Sequence, residues 1–445
     1  MQTESDVDNT PLTIATSKHF FVYNLDSDFA AGGDDPQARL KINVNVTDAD
    51  LRQTYLRIFK KTTSPHFTKS PARSVMCSYN AINGIPAYAH PMLQEYLRDE
   101  LAFPGFIVSD EGAIQWMGEG YHEYTSSDAE SAKSSMKRSR RLSPTCSRLE
   151  SSLECWTLFD SVSWSDLSAE NAVDTAESRA LARALAGESL VLLKNENNVL
   201  PLKTTTKKVA LLGPNANRTE TLLSNHAGCK ANPNDQTIDP SCTLVNPLDG
   251  LKAMAMKDGF EVTYEQGVDI DTNRTDGIDA AVKLASEADV AVIVVGLITC
   301  QETGDQCQEA EALDRTSITL PGLQETLVEQ VANTGTPTVV IIMSGGTVSV
   351  PSLAKSDSVD AIIQSFYGGE ELGSAMADML FGKINPSGRL PATIFEKLED
   401  LPADYLSMEM LDAPGRTGRY FKGEPLYAFG FGSTKLSNKS SCGLP

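Results

Sequence analysis

The sequence predicts an α/β protein, and three observations predict it. Continuous apolar runs recur through the C-terminal half without the polar alternation of a half-exposed strand, as expected for strands buried on both faces. Segments of helical periodicity lie between those runs. The N-terminal part alternates short apolar runs with helical stretches in a less regular form. Together they imply a doubly wound α/β domain over roughly residues 190–395, preceded by βα units.

In chain order, Thr13, Ile14, Ala15 and Thr16 read as the first strand, residues 74–79 as the second and residues 105–110 as the third, with a helix over 92–100. Three or four such units fall short of a closed barrel of eight, which takes about 200–250 residues. From residue 126 to 154 the chain becomes rich in Ser, Lys and Arg, with Lys137, Arg138, Arg140 and Arg141 as a basic block. A solvated loop satisfies both features; a nuclear-localisation signal is the other reading of the block. Beyond it, strands are expected at 208–213, 261–264, 289–296, 338–343 and 361–365, with helices over 277–287 and 323–333. The loop from Gly213 to Asn217 lacks both GxGxxG spacing and a Walker lysine, so nucleotide binding has only a generic strand, loop and helix behind it.

A chain of 445 residues, 41% hydrophobic and 22% charged, is long enough for two or three cores. A formal net charge of −21 argues against nucleic acid and anionic membrane surfaces as partners, because both repel it. No run reaches the roughly 18 apolar residues that a membrane-spanning helix needs. The opening residues Met1, Gln2, Thr3, Glu4, Ser5 and Asp6 are polar and acidic, unlike a secretory signal. Cysteine usage points the other way: Cys229 with Cys242, and Cys300 with Cys307, flank short polar segments as small disulfide loops do. Metal ligation has no Cys-x-x-Cys spacing or His cluster to support it, so no metal site is expected. Sequons at Asn45, Asn217, Asn273 and Asn438 suit a secreted glycoprotein. The implied location is extracellular for a full-length form, with no signal peptide in this chain.

The run Gly105, Phe106, Ile107, Val108, Ser109, Asp110 ends a buried strand in a carboxylate. A carboxylate in that position is costly to desolvate unless it has partners or chemistry to do. At the carboxyl end of a barrel strand it would face an active-site mouth. The same residues, followed by Glu111, Gly112 and Ala113, would also serve as an Asx-type turn or helix N-cap.

Taken in order, several motifs resemble glycoside hydrolase family 3, the group of β-glucosidases and β-xylosidases. They are Lys18-His19-Phe20, residues 75–80, 105–113 and 189–195, Gly368-Gly369-Glu370, residues 385–391 and residues 427–430; the likeness runs from Thr13 to about Gly432. The resemblance implies a partial (β/α)8-like barrel followed by an α/β sandwich, with an active site between them. It implies a retaining exo-acting β-glycosidase that hydrolyses terminal β-xylosyl or β-glucosyl residues, with oligosaccharides or glycosides as partners and no cofactor. By the same match Asp110 takes the nucleophile position. Lys18 and His19 take positions that hydrogen-bond sugar hydroxyls, and Tyr79, with Met76 beside it in the motif, lines the glycone pocket. A cation, an imidazole and a phenol supply donors for hydroxyls, and Lys18 with its neighbours would keep Asp110 ionised.

The segment 308–315 resembles the family's acid/base loop in its xylosidase-like form. Glu309, five residues before Asp314 and Arg315, is the first choice for the acid/base and Glu311 the second; Asp314 and Arg315 would form a local ion pair. Read without the resemblance, Lys18-His19 is an ordinary strand end and the two glutamates an acidic surface loop. The expected domains are 1–160 for an incomplete barrel portion, 161–200 for a linker, 201–432 for the sandwich and 433–445 for a tail.

The chain also departs from the family pattern. Seventeen residues precede Lys18, where relatives carry much of the barrel, and residues 126–154 do not match. Glu111 follows the nucleophile where relatives often have Trp or Cys. Tyr88 stands where relatives often place the disulfide partner of a cysteine like Cys77, which leaves Cys77 free. A fibronectin type III-like domain after Gly432 is absent. The alternative function is therefore an inactive remnant that serves as a carbohydrate-binding or interaction module.

Overall fold

The computed structural model describes residues 14–25, 38–68, 71–113, 167–223, 242–299, 307–311, 313–404 and 407–433. The basic segment 126–154, Thr13, Cys229, Cys300 and the Asn438 sequon lie outside these residues. The chain divides into two compact units, Met1–Ser168 with Pro402–Arg416, and Ala169–Leu401 with Thr417–Pro445. The fold class is α/β: a partial (β/α)8-like unit followed by an α/β sandwich.

The first unit contains strands β1 (Thr16–Phe20), β2 (Asn43–Val44), β3 (Ser74–Cys77), β4 (Ala81–Ile82), β5 (Ile85–Pro86) and β6 (Phe106–Val108), with helices α1 (Arg57–Thr63) and α2 (Leu93–Glu100). Strands β1, β3 and β6 form a parallel sheet in that order, and β2, β4 and β5 a small second one. The first strand begins where the apolar run Thr13 to Thr16 ends, so Lys18 and His19 are strand residues. Between Ser17 and Phe20 the register slips, with three steps along β1 against two along β3. One extra residue of this kind makes a bulge, which re-aims the side chains it carries.

Strands, helices and their connections share the core of this unit. Phe20, Val75, Leu56, Ile82, Leu97, Leu101 and Phe103 are buried together, and Met408 of the returning segment joins them. That segment is tied in by backbone as well: Met408 N–H donates to the Asn45 carbonyl, and the Tyr55 hydroxyl donates to the Met408 carbonyl at 2.8 Å.

The second unit has a six-stranded sheet of β7 (Val191–Asn195), β8 (Lys208–Leu212), β9 (Glu261–Glu265), β10 (Val290–Gly296), β11 (Thr338–Met343) and β12 (Ala361–Gln364). Their order is β7-β12-β11-β10-β8-β9, all parallel except β7, which runs antiparallel to β12 at one edge. The helices are α3 (Ala176–Ser189), α4 (Pro247–Asp258), α5 (Ile278–Ser286), α6 (Gln324–Ala332), α7 (Pro351–Lys355) and α8 (Leu372–Leu380). Residues 176–195, which the sequence reading placed in a linker, thus form a helix and an edge strand of this unit.

Continuous apolar runs are required because both faces of the sheet are covered. In β10, Ala291, Ile293 and Val295 face one core with Leu327 and Val331 of α6. Val290, Val292 and Val294 face the other core, with Leu251 of α4 and Leu372 and Met376 of α8. Each fully buried side chain of this kind contributes about 1.5–3 kcal/mol. The strand order reverses between β8 and β10, the place in a doubly wound sheet where the carboxyl ends of the strands open a crevice.

Candidate active site

In the first unit, parallel pairing gathers the candidate residues at one edge. Ser74 pairs with Phe106 and Met76 with Val108, so β3 and β6 end side by side, and β1 ends next to β3. The residues that leave these ends are His19 in the bulge, Tyr79 after β3 and Asp110 after β6. Ser78 and Asn80 flank Tyr79, and both are fully buried. The Ser78 hydroxyl donates to the Phe21 carbonyl at 3.2 Å and the Asn80 amide to the Val22 carbonyl at 3.1 Å. Those two bonds brace the turn after β1, where Val22 is held at φ 54, a left-handed value that is strained for a β-branched residue. The half-buried Tyr79 is left between them to project.

Asp110 is pinned on several sides. His19 Nε2 lies 3.2 Å from its Oδ2, and the two side chains are 26% and 16% exposed, so the carboxylate is largely desolvated yet reachable. The Glu111 N–H donates to Asp110 Oδ1 at 2.8 Å, and the Asp110 N–H donates to the Tyr88 hydroxyl at 2.6 Å. The Glu111 bond comes from the next residue, not from the N–H two residues on that an Asx-type turn uses, and it orients the carboxylate toward the imidazole. The Tyr79 hydroxyl donates to the Glu111 carbonyl at 3.1 Å. An aromatic chain continues outward: the rings of His19 and Tyr23 meet edge-on at 5.4 Å, those of Tyr23 and Tyr79 at 6.0 Å, and the Arg39 guanidinium lies 5.5 Å from the Tyr79 ring centroid.

Sequence reasoning gave Lys18 the task of keeping Asp110 ionised. In the structure His19 is the partner, and Lys18 is exposed with no ion pair among the described residues. The reason is geometric: neighbouring residues of a strand project in different directions, and only one can meet the acid. Met76 lies half-buried in β3 opposite Val108. Tyr23, Arg39 and the bridging role of Tyr88 escaped the sequence reading. An aromatic cluster four residues past a strand motif carries no periodic signal.

Glu309 belongs to the second unit, on the loop that follows β10, where it bridges to Thr299. Its carboxylate is caught by the loop that follows β11. The Gly345 N–H donates to Oε1 at 2.5 Å and the Gly346 N–H to Oε2 at 3.1 Å. Arg315 Nε lies 3.8 Å from Oε2, while its Nη2 donates to the Thr347 carbonyl at 2.7 Å. Arg315 thus forms an ion pair with Glu309. The chain reverses through the Ala310–Leu313 bridge, which brings residues 309 and 315 alongside each other. Tyr367, after β12, is half-buried beside this carboxylate; desolvation, then the negative charge of Glu309, pushes its phenol pKa far up. Glu311, two residues on, is exposed.

Cys77 is a free, buried thiol, whereas Cys242 and Cys307 are disulfide-bonded. Among the described residues no cluster of His, Cys, Asp and Glu could hold a metal ion, and no helix is long and apolar enough to cross a membrane.

Comparison with known proteins finds relatives that cover nearly the whole chain. A probable exo-1,4-beta-xylosidase of Aspergillus fumigatus is 34% identical over 470 residues, which cover 95% of this chain and 54% of that protein. A beta-xylosidase/alpha-L-arabinofuranosidase of Medicago sativa subsp. varia is 31% identical over 469 residues, 97% of this chain and 56% of that one. Among solved structures, a family 3 exo-beta-xylosidase in complex with a xylobiose aziridine activity-based probe gives a TM-score of 0.76 at 28% identity, covering 95% of this chain and 55% of that one. The chain spans about half the length of the curated relatives it matches. The glycosyl hydrolase family 3 N-terminal domain matches residues 9–138 and its C-terminal domain residues 190–435, and on these matches the chain belongs to glycosyl hydrolase family 3.

Proposed function

We propose that this protein is a retaining exo-acting β-glycosidase that hydrolyses terminal β-xylosyl or β-glucosyl residues, with Asp110 as nucleophile and Glu309 as acid/base. The observation that carries the reading is Asp110 itself, a largely desolvated carboxylate at the carboxyl edge of parallel strands. One of its oxygens is oriented by a backbone amide and the other faces an imidazole. In retaining hydrolysis one carboxylate attacks the anomeric carbon and forms a glycosyl ester. A second carboxyl protonates the departing oxygen, then takes a proton from the water that cleaves the ester. Lys18, His19, Tyr79 and Met76 are the residues we assign to the glycone.

Glu309 is preferred to Glu311 because its carboxylate is fixed by two amides and a guanidinium, whereas Glu311 is exposed. The xylosyl unit is preferred on the Glu309-Ala310-Glu311 spacing and on the xylosidase names of the relatives. Disulfide-bonded Cys242 and Cys307 and the exposed sequon residues Asn45, Asn217 and Asn273 suit an oxidising extracellular compartment.

The test is hydrolysis of 4-nitrophenyl β-xyloside and β-glucoside by the purified protein and by Asp110→Asn. The variant should lose at least about 10³-fold in turnover while its melting temperature stays put, since a nucleophile contributes only to the reaction. Wild-type-like hydrolysis by Asp110→Asn removes the assignment; a wild type no faster than that variant favours the interaction-module reading. Glu309→Gln and Glu311→Gln separate the two glutamates. The true acid/base variant fails on poor leaving groups but is still glycosylated by a 2,4-dinitrophenyl glycoside, whose leaving group needs no proton.

A further inference from the structure

The β3–β6 ladder stops at Met76 and Val108, two residues short of Asp110. Beyond that point the Tyr88 side chain joins the backbone of one strand end to that of the other. The Tyr88 hydroxyl donates to the Cys77 carbonyl at 2.8 Å and accepts from the Asp110 N–H at 2.6 Å. Tyr88 is 2% exposed and packs with Cys77 and Ala113. Its donor and one acceptor site are both used.

We propose that Tyr88 is a positioning residue for Asp110, a hydroxyl bridge that extends the β3–β6 pairing by one rung and fixes the backbone from which the carboxylate projects. The inference rests on Asp110 as the nucleophile. Three further bonds complete the frame around the same residue. Ser109 Oγ donates to the Asp110 carbonyl at 2.7 Å, the Ala113 N–H donates to that carbonyl at 3.3 Å, and the Glu111 N–H donates to Oδ1. Those three bonds come from within the turn and move with it. Tyr88 ties the Asp110 backbone to the end of β3, beside the Tyr79 hydroxyl that holds the Glu111 carbonyl and the His19 imidazole that meets the Asp110 side chain. Burial drives its phenol pKa far up, so the hydroxyl keeps the proton that it donates to Cys77.

Two measurements test this. Hydrogen exchange on the wild type reads the clamp directly. The Asp110 amide should exchange slowly and become at least about tenfold faster in Tyr88→Phe; an amide that already exchanges like a free turn in the wild type overturns the proposal, whether or not the variant folds. The second measurement is inactivation by 2,4-dinitrophenyl 2-deoxy-2-fluoro-β-xyloside, which traps the nucleophile as its glycosyl ester. Tyr88→Phe should lower the first-order inactivation rate about 10–100-fold, with little change in the concentration for half-saturation, because a misplaced attacking atom costs rate more than binding. Equal rates per folded molecule overturn it. If the wild type is never labelled, the assignment of Asp110 fails, while the exchange result still decides whether Tyr88 is the clamp.

Discussion

At the scale of single residues, burial and hydrogen bonding set which form of a titratable group the fold uses. His90 is an example away from the carboxylate. Its Nδ1 accepts the Met92 N–H at 3.2 Å and its ring meets Phe21 edge-on at 5.0 Å, so the fold uses the neutral imidazole. Burial lowers its pKa below the ordinary 6.5, against a smaller opposing pull from Glu95. A depressed folded-state value means that the unfolded chain takes up the proton first. The stability that His90 contributes is therefore complete above about pH 6.5 and is lost as pH falls through the lower folded value. Urea denaturation followed by the fluorescence of the first unit should show this slope, and His90→Gln should flatten it. An unchanged slope in the variant would show that other groups carry the acid sensitivity. The same scale explains why His19, not Lys18, partners Asp110: the β1 bulge decides which of two adjacent side chains is turned to the acid.

Elements are limited by backbone approach. Helices α4 and α8 cross where Gly250 faces Gly373, and a Cβ built at Gly250 would stand 2.2 Å from the Gly373 carbonyl carbon. A Cβ at Gly373 would stand 1.9 Å from the Asn246 carbonyl oxygen, so neither glycine tolerates a side chain without moving a helix. The crossing lets Leu251 and Met254 of α4 share a core with Leu372, Ala375 and Met376 of α8. Gly250→Ala should cost about 1–3 kcal/mol, the usual range for overpacking, read as a lower urea midpoint with an unchanged slope. A midpoint within error of the wild type would mean that the helices separate freely. The sequence reading placed helices at 277–287 and 323–333 and neither helix of this crossing. The pairing of two glycines 123 positions apart was not legible there either.

For the whole molecule, the charge of −21 dominates its behaviour in solution. Like charges repel in the compact state and are screened beyond roughly 10 Å at 0.1 M salt. The melting temperature should therefore rise between about 0.01 and 0.3 M sodium chloride, and the protein should pass through a heparin column while binding an anion exchanger. Retention on heparin, or a melting temperature that falls with salt, would point to a basic surface strong enough to outweigh the net charge. Two compact units each carry their own core, and the segment Pro402–Arg416 returns to the first. Nothing in the sequence of that segment marks the return, because what secures it is the seating of Met408 and three backbone-linked bonds from Asn45, Asp50 and Tyr55.

The sequence by itself determined the strands of the second unit, since a run such as Val290 to Val295 has no stable place except between two apolar layers. It also determined which acids to suspect, through Asp110 at a strand end and Glu309 in a motif loop. It missed β7, whose run Val191, Leu192, Leu193 is as apolar as its neighbours but pairs antiparallel, a fact set by where the chain returns. Only the tertiary structure decided the partners of the acids. Tyr88 reaches Asp110 across 22 positions and Gly345 reaches Glu309 across 36. Strand formation is a local consequence of side-chain pattern, whereas a hydrogen bond between distant residues depends on register and turn geometry, and these exist only once the sheets are assembled.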